Sequence, residues 1–82
     1  MEREIRQILA AHGRLGVDVY SLDADADLYR NGMTSHASVN VMIGLEEAFD
    51  VEFPIEMLRR STFESVASIE TALNSLTATL AG

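Results

Sequence analysis

Ser35 is the residue of this chain best placed to do chemistry. It lies in Asn31-Gly32-Met33-Thr34-Ser35-His36, just ahead of a helix-periodic apolar run that ends in Leu45-Glu46-Glu47-Ala48-Phe49-Asp50. A serine becomes a nucleophile when a base within hydrogen-bond reach takes its proton. The chain offers two histidines, His12 and His36, and no cysteine. His36 follows Ser35 directly, and adjacent residues of a helix do not face one another. The Ser35 hydroxyl, with acids around it in sequence and no base to activate it, suits a covalent attachment point better than a catalytic nucleophile. This argues against a hydrolase. The plain alternative is that Ser35, or Thr34 beside it, only caps the helix.

A second cluster, Asp23-Ala24-Asp25-Ala26-Asp27, opens like a calcium loop. An EF-hand loop needs glycine at its sixth position and glutamate at its twelfth. Leu28 and Thr34 stand there instead, so no metal site is expected. His12 reads as a histidine at the edge of the core.

The charge narrows the partners. Thirteen acids oppose six arginines, with no lysine, for a net charge of -7 over 82 residues. Such a surface repels nucleic-acid backbones; it fits a basic protein partner or, equally on charge alone, a solvated acidic surface that only aids solubility. Between Asp18 and Glu56, nine acids stand against one base, Arg30, and Ser35 lies inside that window. No run approaches the ~20 apolar residues of a membrane span. No basic-then-apolar segment follows Met1. The absence of cysteine fits a reducing compartment. The expectation is a monomeric cytoplasmic protein, one domain over residues 1–82, with no membrane association.

The elements that must position Ser35 follow from periodicity. Glu2 to about Leu15 reads as an amphipathic helix, with Ile5, Ile8, Leu9 and His12 on one face. A long ordered loop, about 16–34, is expected to be pinned by Val17, Val19, Leu22, Leu28 and Tyr29, with Tyr20 as a further anchor. A second helix spans Ser35 or His36 to Phe49, with Ser38, Val41, Met42, Leu45 and Phe49 on its core stripe. Pro54 precedes a short third helix over 55–60. Ser61-Thr62-Phe63-Glu64 fits a capping box for a fourth helix, with Phe63, Val66, Ile69, Leu73, Leu76 and Leu80 on its core side and fraying over 78–82. The fold class is all-α, a small antiparallel four-helix bundle of three long helices and one short.

Val39 and Ile43 lie on a second face of the Ser35 helix, beside His36, Glu46 and Glu47. Two such apolar positions fit either a broad core face or, with their acidic rim, a docking surface, and the docking reading is favoured.

Taken together, Gly32-Met33-Thr34-Ser35, the helix after it, and Leu45-Glu46-Glu47-Ala48-Phe49-Asp50-Val51-Glu52-Phe53-Pro54 resemble the acyl carrier protein family over nearly the full chain. In that family a serine opening the second helix carries 4′-phosphopantetheine, and a gapless match of the Leu-Glu-Glu block puts Ser35 on it. Thr34 replaces the acid, and His36 the leucine, of the common Asp-Ser-Leu signature. The Gly-Met-Thr-Ser form is similar to small free-standing aminoacyl carrier proteins. The resemblance implies a non-catalytic carrier that holds an acyl or aminoacyl group as a thioester, with aminoacyl cargo favoured. It implies three classes of partner: a phosphopantetheinyl transferase that draws on coenzyme A, an adenylate-forming ligase, and downstream acceptor enzymes. Docking is expected at Met33, Thr34, His36, Val39, Asn40, Ile43, Glu46, Glu47 and Met57. The competing expectation is an acidic helical interaction module with Ser35 unmodified.

Overall fold

The computed structural model describes residues 1–81, and the side chains of residues 1–77. The core position expected of Leu80 and the fraying expected over 78–82 fall outside the described side chains. Among the described residues the chain is all-helical, with three α-helices: α1, Glu2–His12; α2, Ser35–Phe49; and α3, Val66–Ala81. No helix among them is long and apolar enough to cross a membrane.

The helix α1 ends earlier than its periodicity predicts. The Gly13 amide closes on the Leu9 carbonyl at 2.8 Å, and Arg14 then takes the left-handed conformation at φ 53°. Ile5 and Leu9 are fully buried, and α1 packs against both α2 and α3. The α1–α2 crossing is close. A methyl group at Gly44 would stand 3.0 Å from Ile8 Cγ2 and 3.2 Å from the His12 ring. His12 is itself exposed, at the rim of this crossing.

Ala37, Val41 and Leu45 of α2 and Val66, Ile69 and Leu73 of α3 complete the helical core, while Ser38, Met42 and Phe49 are half-buried at its edge. Each fully buried leucine or isoleucine contributes roughly 1.5–3 kcal/mol relative to an exposed one. The C-terminus of α2 closes at Asp50, left-handed at φ 53°, whose amide donates to the Glu46 carbonyl.

The expected third helix is absent. Two 3-10 turns, Ile55–Met57 and Arg60–Thr62, replace it, separated by Leu58 and an extended Arg59. Helix nucleation is unfavourable, and so short a segment is sustained by packing rather than by propensity. Here Ile55 and Leu58 stay exposed and only Met57 reaches the core. The expected capping box at Ser61 does not form either. Phe63 turns into the core, its ring 5.2 Å from that of Phe53 in an edge-on contact. The cap moves to Ser65: its hydroxyl accepts from the Ser68 amide at 3.0 Å, and its amide donates to Ser68 Oγ at 3.1 Å. This is capping-box geometry built from two serines.

Between α1 and α2, residues 13–34 form turns. Val19, Leu28 and Met33 are buried, and Leu22 and Tyr29 are half-buried, whereas Val17 and Tyr20, expected to pin the loop, are exposed. Backbone hydrogen bonds tie this segment to the far side of the fold, Leu28 N to Glu64 O at 2.7 Å and Ala67 N to Ala24 O at 2.9 Å. Arg6 is the other tie. Its Nη1 donates to the carbonyls of Val19 at 2.6 Å and Leu22 at 2.8 Å, and its Nε to Glu2 at 2.9 Å.

Replacing Arg6 by leucine leaves both carbonyls without their charged donor. The expected cost is about 2–3 kcal/mol, measured as a lowered urea midpoint. Hydrogen exchange of the 19–28 amides should accelerate. Unchanged protection there would show that Arg6 is not the tie.

Candidate functional site

Ser35 is the first residue of α2 and is exposed. Three local features put it there. Gly32 adopts φ +113°, a conformation that L side chains rarely take, and a methyl group on it would stand 3.0 Å from the Gly16 amide nitrogen. That amide donates to Asn31 O at 3.1 Å, and Met33 N donates to Leu28 O at 3.0 Å, so the Asn-Gly turn is strapped to the loop on both sides. Thr34 is extended, and its Oγ1 accepts from the Ala37 amide at 3.0 Å. Thr34, not Ser35, is therefore the N-cap. The Ser35 hydroxyl makes no hydrogen bond among the described residues. Its carbonyl accepts from Ser38 Oγ at 2.7 Å.

Beside Ser35 runs an open groove of about 460 Å³ between α2 and the 58–63 segment. Ser38, Val39 and Met42 form its α2 wall, and Leu58, Phe63 and Tyr29 form the other. Arg59 and Arg60 also line it. The Arg60 guanidinium lies 4.0 Å from the centre of the Tyr29 ring, a cation–π contact. Arg59 donates through Nε and Nη2 to the Glu56 carbonyl, at 2.9 and 2.6 Å. None of the thirteen acids lines this groove. The sequence window around Ser35 is acidic, but the fold turns those acids elsewhere: Asp18 and Asp27 accept from nearby backbone amides in the loop. Sequence reasoning missed Arg59 and Arg60. A signal existed, for they are the only Lys or Arg residues after Arg30.

The residues expected at a docking face divide. His36, Val39, Asn40, Ile43 and Glu47 are exposed, with Val39 at 50% and Ile43 at 44%. Met33, expected at the rim, is instead 2% exposed and faces the core. Thr34 spends its hydroxyl on the cap. Glu46 is half-buried, and its Oε2 accepts from the Phe53 amide at 2.9 Å, so its carboxylate braces the turn after α2. Met57 is half-buried against the core.

The site is thus an exposed serine, its hydroxyl unengaged among the described residues, opening α2 beside a groove lined by two arginines and no acid. The phosphopantetheine attachment-site family matches residues 3–73, and the chain belongs to that family. An aminoacyl carrier protein of Agrobacterium fabrum is 49% identical over 70 residues, covering 85% of this chain and 84% of its own. A carrier protein from Agrobacterium tumefaciens, solved with an engineered Bradyrhizobium japonicum glycine:[carrier protein] ligase and AMP, is 46% identical with a TM-score of 0.88, over 90% of this chain and 99% of that one. A glycylated carrier protein complexed with the Bradyrhizobium japonicum glycine:[carrier protein] ligase is 27% identical with a TM-score of 0.74, over 87% of this chain and 95% of that one.

Thr34→Ala should cost about 1 kcal/mol through the lost cap, while Thr34→Ser keeps most of it. Thermal unfolding of the two variants against wild type reads the difference. Equal loss in both would point to packing of the threonine methyl instead.

Proposed function

We propose that Ser35 is the attachment point, and that the chain, as a single domain in the cytoplasm, carries an aminoacyl group loaded by an adenylate-forming ligase. The arm, when attached, supplies a terminal thiol that holds the cargo as a thioester. The observation that carries the reading is Ser35 itself, exposed at the first turn of α2 with its hydroxyl unengaged among the described residues, in a chain of the phosphopantetheine family. The aminoacyl cargo and the ligase rest on the relatives, two of which were solved with a glycine:[carrier protein] ligase.

The chain's own contribution is positional. With Ala37 N capped by Thr34, the Ser35 and His36 amides remain without an intrahelical acceptor and face the helix entrance. They and the positive end of α2 tolerate a phosphate there. The dipole contributes only about 0.3–1 kcal/mol at an exposed site, too little to select one serine among seven. Selection falls to the transferase that docks on the fold, with coenzyme A as donor. The protein is then a substrate and a handle, not a catalyst. Tethering raises the effective concentration of cargo at each partner site, to the millimolar range for short flexible linkers.

Docking on the outer face of α2 uses Val39 and Ile43 to seat the partner and Glu47 to steer it, with His36 and Asn40 between. Contacts of this kind set encounter rate more than affinity, which suits a carrier that visits several enzymes.

Two outcomes test the reading. After co-expression with a broad-specificity phosphopantetheinyl transferase, the intact mass should rise by one 4′-phosphopantetheinyl group, and Ser35→Ala should abolish the gain. A wild-type mass that stays at the bare polypeptide under every transferase would leave the interaction module as the better account. Separately, Glu47→Lys should slow ligase loading severalfold at low salt with stability unchanged, and raised salt should shrink the gap. Glu46→Lys, by contrast, should also lower stability by about 1–3 kcal/mol, because the Phe53 amide loses its acceptor. Loading rates indifferent to salt and to Glu47→Lys would rule out this docking face.

A further inference from the structure

From Asn31 to the end of the chain the only Lys or Arg residues are Arg59 and Arg60, and both line the groove beside Ser35. Neither makes an ion pair among the described residues, as is also true of Arg3 and Arg14; Arg6 and Arg30 pair with Glu2 and Asp27. Both are nonetheless held in place. The Tyr29 ring supports Arg60, and the Glu56 carbonyl fixes one edge of Arg59, which leaves Nη1 clear of that contact. Two exposed guanidiniums, each contacted by a neutral group, thus make a locally cationic patch in a groove lined by no acid, in a chain of net charge -7. The planar fork of arginine matches phosphate oxygens, and a donor already fixed loses less freedom on engaging them.

We infer that Arg59 and Arg60 form a subsite for the phosphodiester at the root of the arm on Ser35. The inference rests on the attachment proposed above and adds residues to it. The pair draws the arm's root toward the 58–63 wall instead of leaving it to swing freely from the helix end. Leu58, Met42 and Phe63 then offer the adjoining carbon chain an apolar surface. The anion comes from the arm and not from a partner's carboxylate, because Ser35 itself lines the same groove as the two guanidiniums.

The test compares apo and holo protein, the latter made with coenzyme A and a transferase and verified by intact mass. Nitrogen-15 spectra report the Arg59 and Arg60 Nε–Hε groups, and phosphorus-31 spectra report the phosphodiester. Conversion to holo should move both arginine signals, by less as salt rises. The phosphorus resonance should shift in the Arg59→Gln/Arg60→Gln double variant and stay in place in Arg3→Gln, an exposed control on α1. Arginine signals that do not move on conversion, or a phosphorus resonance identical in the double variant, would overturn the subsite. Signals that move only when the ligase is added would overturn it in favour of a partner's carboxylate. A wild-type chain that no transferase modifies would sink the attachment itself, a failure seen in the mass before any spectrum is recorded.

Discussion

Residues 13–34 contain no helix and no strand, yet they carry buried side chains, so the polar backbone groups they take out of water need partners. Meeting that need organises much of the molecule. The Arg6 guanidinium takes the Val19 and Leu22 carbonyls, Glu64 O takes the Leu28 amide, and Ala24 O takes the amide of Ala67 in α3. These ties cross from the loop to α1 and to the start of α3. Their joint effect is to fix the Asn31-Gly32 turn, and the turn aims Thr34 and Ser35. The site is thus held by the irregular part of the chain rather than by helix packing alone.

The second organising effect is electrostatic sorting. The linear sequence surrounds Ser35 with acids, but distance along the chain is a poor guide once the 58–63 segment folds back. Arg59 and Arg60 arrive from about 25 residues away. Asp18 and Asp27 are meanwhile committed to turns of the loop, and Glu46 to the corner after α2. The protein presents an acidic exterior and a locally cationic groove, two surfaces suited to different encounters.

Much of this was legible in the sequence, and the rest was hidden for physical reasons. The apolar stripes of α1, α2 and α3 announced themselves through spacing, and the Gly-Met-Thr-Ser run pointed to Ser35. The segment after Pro54 did not, because Pro54 and the apolar Ile55, Met57 and Leu58 read as a helix start, while only Met57 finds core to pack on. Ser61 looked like a cap from its local pattern, but Phe63 turns into the core against Phe53 and the cap falls to Ser65. The burial of Met33, the brace made by Glu46 and the stacking of Arg60 on Tyr29 are tertiary facts that no periodicity encodes.

The near contact at Gly44 has a mechanical meaning. With Ile8 Cγ2 only 3.0 Å and the His12 ring 3.2 Å from where a methyl group would stand, the absence of a side chain at position 44 is what lets α2 lie this close to α1. A larger residue at position 44 would press on Ile8 and His12, and α2, with Ser35 at its start, would have to give way.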